Sequence, residues 1–230
     1  MDRRAVILAG GKGTRLKPYT TVIPKPLVPV GDRPILEILI ERLKLSDITD
    51  ITLCVNHLAE IIIAFFGDGS KWGVRLTYSV EDKPLSTVAP LKLLNDLPND
   101  FLVMNGDLLT DLDVGKLFEY HVKHNALITV ATHKRNLEVD FGVIEVNEAG
   151  NMAIGFQEKP EFTLNVSMGI YVFSKKVLDF IPAGKAFGFD SLMYELLKRK
   201  QIIHVYPYNG YWLDIGRPED YEKANEDIKK

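Results

Sequence analysis

The sequence predicts an α/β layer fold built on a mostly parallel sheet. Two patterns carry this reading. Short continuous apolar runs alternate with segments of helical periodicity, and the first apolar run opens directly into a glycine-rich loop, as ligand loops do at the carboxyl ends of such strands. The composition agrees: 230 residues, 46% hydrophobic and 26% charged, are those of an ordinary globular chain able to bury a substantial core.

Taken in order, residues 5–8 form an unbroken apolar strand of the kind covered on both faces. Asp32 is placed to cap a helix with Pro34 in its first turn, and Ile35, Leu36, Ile38, Leu39 and Leu43 recur at helical spacing. Residues 51–55 read as the next strand, 58–66 as a helix ended by Gly67-Asp68-Gly69, and 74–80 as an alternating strand. Residues 101–104 form a buried strand that delivers Asn105-Gly106-Asp107 at its carboxyl end, beside the glycine loop. A helix over 114–122 and a strand over 127–132 follow. From Gly142 the pattern changes: 143–146 and 152–157 flank Asn147-Glu148-Ala149-Gly150-Asn151, a hairpin signal. The second half therefore supplies an antiparallel extension. With no linker, repeat or low-complexity segment, 1–230 reads as one domain of two lobes, 1–135 and 136–230.

The net charge of −3 gives no global attraction to nucleic acid or an anionic membrane. The single cysteine, Cys54, lies in an apolar strand, which leaves neither an intramolecular disulfide nor a cysteine zinc site. No apolar run approaches the roughly 20 residues needed to span a bilayer, and no signal-peptide pattern precedes the first strand. A cytoplasmic location is expected.

The opening loop, Ala9-Gly10-Gly11-Lys12-Gly13-Thr14-Arg15-Leu16, is the most informative stretch. Three glycines in four positions remove the Cβ atoms that hold an anion away from the backbone, and they permit positive φ. Lys12, Arg15 and Lys25 add cations, a combination suited to a triphosphate. It is not a P-loop, which needs four residues before a Gly-Lys-Ser/Thr. It is not the dinucleotide fingerprint either, since Leu16 stands where the third glycine belongs.

The run 8–18, with Pro24-Lys25-Pro26-Leu27-Val28-Pro29-Val30, resembles the opening of the sugar-1-phosphate nucleotidyltransferases, also called NDP-sugar pyrophosphorylases. The resemblance continues in order through Asn105-Gly106-Asp107, Phe141-Gly142-Val143, Glu158-Lys159-Pro160, Met168-Gly169-Ile170-Tyr171 and Trp212-Leu213-Asp214-Ile215-Gly216. It is nearest to short single-domain members similar to heptose- or mannose-1-phosphate guanylyltransferases. It implies a Rossmann-like three-layer sandwich of the nucleotide-diphospho-sugar transferase type, with a small antiparallel extension. It also implies a magnesium-dependent reaction between a nucleoside triphosphate and a sugar 1-phosphate, with no nucleic-acid or membrane partner. Oligomeric state stays open, a homodimer included.

The resemblance assigns nucleotide binding to Leu8, Ala9, Gly10, Gly11, Gly13, Thr14, Arg15, Ser86, Thr87, Asn105 and Asp107. Arg15 would face the leaving pyrophosphate, and Lys25 the α-phosphate and incoming sugar phosphate. Gly142, Glu158, Lys159, Ser167 and Gly169 would hold the sugar phosphate. Asp107 and Asp214 would bind Mg2+, which usually takes one or two protein carboxylates; read alone, each is more readily a turn-capping aspartate, Asp214 especially. An anionic phosphate nucleophile needs no strong base, so positioning and charge neutralisation carry the chemistry.

Two departures from the family pattern fall in the recognition region. Ser86-Thr87-Val88-Ala89-Pro90 stands where Gly-Thr-Ala-Gly is frequent, with Ser86 or Thr87 placed to cap a helix. Ser167 stands where an Asn is frequent. Overall resemblance leans to GTP, with UTP and CTP open. A glycosyltransferase using Asp111-Leu112-Asp113, or a non-catalytic nucleotide-sugar sensor, are the competing readings. His121 and His124 read as a solvated helix face rather than a metal pair, His57 and His204 have no evident partner, and Lys229-Lys230 reads as a solvated end.

Overall fold

The computed structural model describes residues 3–228, so Lys229-Lys230 lies outside the described residues. The chain runs β1 (Arg4–Leu8), β2 (Pro29–Val30), β3 (Arg33–Pro34), α1 (Ile35–Leu45), β4 (Asp50–Val55), α2 (Ala59–Phe66), β5 (Arg75–Val80), β6 (Asp100–Asn105) and β7 (Leu108–Thr110). It continues through α3 (Val114–Lys123), β8 (Ile128–Glu138), β9 (Val143–Val146), β10 (Ala153–Gln157), β11 (Glu161–Ser174), α4 (Phe189–Lys198), β12 (Ile203–Tyr208), β13 (Trp212–Asp214) and α5 (Pro218–Asp227). Seven strands form one sheet in the order β12-β8-β11-β6-β1-β4-β5, and only β11 runs antiparallel to its neighbours. Among the described residues no helix is long and apolar enough to cross a membrane.

The expected three layers follow from the alternation within each strand. Ala5 and Ile7 of β1 face the side where α1, α2 and α3 pack through Leu36, Leu39, Ile62, Phe66, Leu117 and Phe118. Val6 faces the other side with Phe101, Val103, Tyr171 and Phe173, covered by Val177 and by Leu192 and Leu196 of α4. Burial on both faces is why these strands read as continuous apolar runs.

Four expectations are corrected. The first helix starts at Ile35 with Pro34 as its N-cap, because residues 29–34 form the β2–β3 turn; Asp32 caps nothing. β8 runs six residues past 132, where its side chains from 134 onward are exposed on both faces and carry no buried apolar run to mark the strand. The turn at 89–93 is a 3₁₀ segment N-capped by Val88 with no side-chain cap. His121 is buried, with Nδ1 2.9 Å from Thr129 Oγ1 and Nε2 3.4 Å from Asp100, and burial lowers its pKa.

Candidate active site

β1 and β6 are adjacent and parallel, so the loops that leave them emerge side by side. The Gly106 N–H donates to the Leu8 carbonyl at 2.9 Å, and the Ala9 N–H donates to the Cys54 carbonyl at 2.8 Å. Each glycine of the opening loop has a distinct use. Gly10 leaves no room for a side chain, because a Cβ there would meet Glu81 Oε1 at 3.1 Å and Asn56 Cβ at 3.2 Å. Gly11 faces open space. Gly13 alone of the three takes positive φ, at 60°, and its carbonyl accepts from the Thr20 hydroxyl at 2.7 Å.

The carboxylates meet through a two-stranded ribbon. β7 and β13 pair antiparallel with Asp214 opposite Leu108, and the Ile215 N–H donates to the Asp107 carbonyl at 3.0 Å. Two residues 107 positions apart are thus held at one end of one ribbon. Lys25, buried in a short 3₁₀ turn, ion-pairs with Asp107. Asp107 Oδ1 and Asp214 Oδ1 are nevertheless buried with no hydrogen-bond partner. Burial and the neighbouring Asp107 push the Asp214 carboxyl above its ordinary range, opposed by Lys25 and Arg15. The Arg15 guanidinium lies against Gly216, about where a Cβ there would approach it to 3.3 Å.

Two carboxylates with unpaired buried oxygens, beside a phosphate-sized loop, fit a hard cation with oxygen ligands. Among the described residues no cluster of three or more metal-ligating side chains occurs. That donor set suits an ion completing its shell from phosphate and water, as Mg2+ does, better than one held in an all-protein cage.

The glycine loop opens into a cavity of about 490 Å³. Of the residues assigned to the nucleotide, Leu8, Ala9, Gly10, Gly11, Ser86, Thr87, Asn105 and Asp107 line it, with Lys25. Gly13, Thr14 and Arg15 do not: Gly13 packs on Thr20, and Arg15 turns toward Gly216 and Asp214. Lys12, Cys54, Asn56, Glu81, Pro84 and Leu85 also contribute to the wall. Glu81 was not singled out by the sequence. It is 8% exposed; Oε2 accepts from the Leu85 N–H at 2.9 Å, and the Asn56 amide donates to its carbonyl at 2.7 Å. Burial raises its pKa, against the lowering effect of the Leu85 N–H. In the sequence it continues the polar alternation of Arg75, Thr77 and Ser79, so no local signal marks it.

Ser86 takes φ 68°, the left-handed conformation that glycine adopts most easily, so the backbone path survives without glycine. Thr87 does not cap its own turn. Its hydroxyl accepts from the first N–H of α4, that of Phe189, at 2.7 Å, while the Val88 and Ala89 N–H groups both donate to the Phe187 carbonyl. The loop is thereby pinned to the second half of the chain.

The residues assigned to the sugar divide. Gly169 touches the site, since a Cβ there would meet the Asn105 amide at 2.6 Å, and the Ser167 hydroxyl donates to Tyr171 Oη at 3.1 Å just beneath. Gly142, Glu158 and Lys159 cluster beyond, where a Cβ on Gly142 would strike the Phe156 ring at 2.7 Å and Glu158 at 3.2 Å. None of these five lines the nucleotide cavity. A second cavity, about 620 Å³, lies between α1 and α5 behind the β7–β13 ribbon, away from the glycine loop.

A family described as nucleotidyl transferase matches residues 4–230. The mannose-1-phosphate guanyltransferases of Yarrowia lipolytica and Saccharomyces cerevisiae are each 34% identical to this chain, over 225 and 226 residues and 95% of its length. A UTP–glucose-1-phosphate uridylyltransferase of Synechocystis sp. is 32% identical over 241 residues, 96% of this chain. The chain spans 62% of the length of each of these relatives. The solved structure of HddC from Yersinia pseudotuberculosis superposes with a TM-score of 0.77 at 28% identity, covering 98% of this chain and 99% of that one. The same protein complexed with GMP-PN gives 0.75.

Proposed function

The chain belongs to the nucleotidyl transferase family, and we propose that within it this protein joins a nucleoside triphosphate to a sugar 1-phosphate. A sugar-phosphate oxygen attacks the α-phosphorus, the bond from the α-phosphorus to the bridging oxygen breaks, and pyrophosphate leaves with that oxygen. The observation that carries the reading is the meeting of Lys25, Asp107 and Asp214, with two orphaned carboxylate oxygens, at the mouth of the glycine loop.

Lys25 neutralises charge at the α-phosphate, and the backbone of Gly10 and Gly11 lets the phosphates approach without side-chain obstruction. Asp107 and Asp214 would hold Mg2+, which supplies positive charge to the phosphate oxygens when bound. Arg15, beside Gly216 and with its charge acting on Asp214, would face the leaving pyrophosphate. Gly169, Ser167, Gly142, Glu158 and Lys159 form the sugar-phosphate side. GTP is the favoured nucleotide. Glu81 presents a carboxylate, an acceptor only when ionised, and guanine offers adjacent N1–H and N2–H donors. A cytoplasmic setting, where nucleoside triphosphates are supplied, suits the reaction.

The test is magnesium-dependent pyrophosphate release from four nucleoside triphosphates against a panel of sugar 1-phosphates. Release that demands one pair and vanishes in Asp107→Ala is the expected result. Triphosphate binding without release for any acceptor would overturn the transfer reaction in favour of a nucleotide sensor.

A further inference from the structure

β8 and β11 leave the main sheet together as a two-stranded arm. β12 pairs with β8 only as far as Tyr208 opposite His133, and β6 pairs with β11 only from Ile170. Over residues 134–138 the outer edge of β8 therefore carries no strand, and all five residues are exposed. An open edge of this kind is a template for adding another strand.

The two faces of the arm differ. Leu137 opposes Phe162 and Arg135 opposes Leu164, which gives one face three exposed apolar side chains at 54%, 44% and 49% exposure. The other face carries Lys134, Asn136 and Glu138, with Glu138 directly opposite Glu161. Like charges facing across a strand pair are destabilising. Among the described residues neither glutamate, nor Lys134, nor Arg135, has an ion-pair partner. Beyond the arm, the β9–β10 hairpin exposes Ile144, Val146 and Phe156 as well.

The geometry points to a second copy of this chain as the occupant of the β8 edge, paired antiparallel about a two-fold axis at Asn136. Charge order is the reason for choosing a second copy. In that register Lys134 of each copy stands directly opposite Glu138 of the other, on the same face, so both lysines meet the glutamates that repel within each arm. Arg135 stands opposite Leu137, and Asn136 opposite itself. A two-fold pairing is self-complementary only if the edge reads basic to acidic through its centre, and Lys134-Arg135-Asn136-Leu137-Glu138 does. Charges on an open edge also serve to repel strands; a block of one sign would do that, whereas this order attracts its own copy. The pairing joins the apolar faces of both arms on one side of a four-stranded ribbon and carries each hairpin alongside the root of the partner's arm.

The inference is independent of the transfer reaction, and its test reads mass and cross-linking instead of activity. Light scattering on the eluting protein is expected to give twice the 26.0 kDa chain mass. Lys134→Glu should return the monomer, and Lys134→Glu combined with Glu138→Lys should restore the dimer. Cys54 is buried, so Asn136→Cys introduces one accessible thiol at the dyad and should form an interchain disulfide on mild oxidation. A monomer at all concentrations overturns the proposal. So does a dimer indifferent to Lys134→Glu whose Asn136→Cys variant does not cross-link, since the contact then lies elsewhere.

Discussion

Lys25 holds one oxygen of Asp107, while the other oxygen of Asp107 and Oδ1 of Asp214 are buried without a partner. The ammonium pairs with one of two neighbouring carboxylates, and Lys25 and Arg15 together only partly offset the burial of Asp214 and the charge of Asp107 beside it. Replacing one acid should relieve what remains. Asp214→Asn is expected to raise Tm measured without magnesium by roughly 2–4 °C, the equivalent of about 1 kcal/mol for a domain of this size, and to abolish the Tm increase that the proposed magnesium site should give the wild type. Lys25→Met should do the reverse, lowering Tm without magnesium, and should reduce kcat about 10²–10³-fold, the usual loss when a charge-stabilising donor is removed. Differential scanning fluorimetry with and without magnesium, beside pyrophosphate release, reads both. A Lys25→Met enzyme with unchanged kcat would remove that residue from the reaction.

Ser86 occupies the left-handed region at φ 68° without being glycine. A residue held there costs on the order of 1–3 kcal/mol, partly offset by the smaller backbone entropy it loses on folding relative to glycine. Ser86→Gly should therefore leave stability within about 1 kcal/mol of wild type or raise it, whereas β-branched Ser86→Val should lower it by about 1–3 kcal/mol and raise the KM for the triphosphate. Urea denaturation and steady-state kinetics on the two variants decide the matter. Equal stability of the glycine and valine forms would show that the backbone there is not constrained.

Thr87 Oγ1 accepts from the Phe189 N–H at 2.7 Å and so ties the cavity wall to α4. Thr87→Val keeps the shape and removes the acceptor. A lost helix cap costs about 0.5–2 kcal/mol, and the loop should loosen with it, so triphosphate KM should rise several-fold while kcat changes little. Thr87→Ser should recover both. A fall in kcat with KM unchanged would place the hydroxyl on the reacting phosphates instead.

The main sheet was legible because its strands are buried on both faces, and 5–8, 51–55 and 101–104 needed only continuous apolarity to be found. The phosphate loop was legible because its glycines and cations are adjacent in sequence. What escaped depends on contacts distant in sequence. Glu81 looks like one more surface acid until Gly10 and Asn56 are seen to close around it. His121 sits at helical spacing from His124 yet is drawn into the core by Thr129 and Asp100. The outer half of β8 has no apolar alternation to mark it, because Arg135 interrupts the face that Leu137 occupies and the other face is wholly polar. Thr87 has the residue type of a cap, but the helix it caps lies about 100 residues further on.

Cys54 lines the cavity but is held in the neutral form. Burial, and secondarily the Glu81 charge, push its thiol from 9.0 up to about 12, against a lowering by Arg4. The native thiol stays protonated through the window from 9 to 12 in which the unfolded thiol ionises. Its contribution to stability is therefore complete below pH 9 and is lost as pH rises toward 12, at up to about 1.4 kcal/mol per unit. Denaturant titrations of wild type and Cys54→Val at pH 8 and pH 10 should diverge, with the wild type losing more. The native thiol should also resist alkylation at pH 8. Rapid native labelling would show that the strand opens.

The proposed preference for GTP rests on Glu81. Leu85 N–H fixes Oε2 at 2.9 Å, and Asn56 fixes the main chain, so the carboxylate cannot swing away. The other oxygen lies against Gly10 at the cavity wall. A carboxylate accepts but does not donate, which suits the two donors on the guanine edge. Uracil instead places its N3–H between two carbonyl oxygens, and those oxygens need donors. Glu81→Gln replaces one acceptor oxygen by an NH2 while conserving volume and the Leu85 contact. Leaving a buried polar group unmatched costs about 1–3 kcal/mol, which is about 5–150-fold in a rate or binding constant. The ratio of kcat/KM for GTP over UTP should accordingly fall about 10–100-fold, chiefly through loss of GTP activity and with a measurable gain for UTP. Competition assays with both triphosphates on wild type and Glu81→Gln read this ratio directly. A ratio unchanged in the variant would move base selection to the backbone of 84–87, and a wild type that already prefers UTP would overturn the guanine assignment itself.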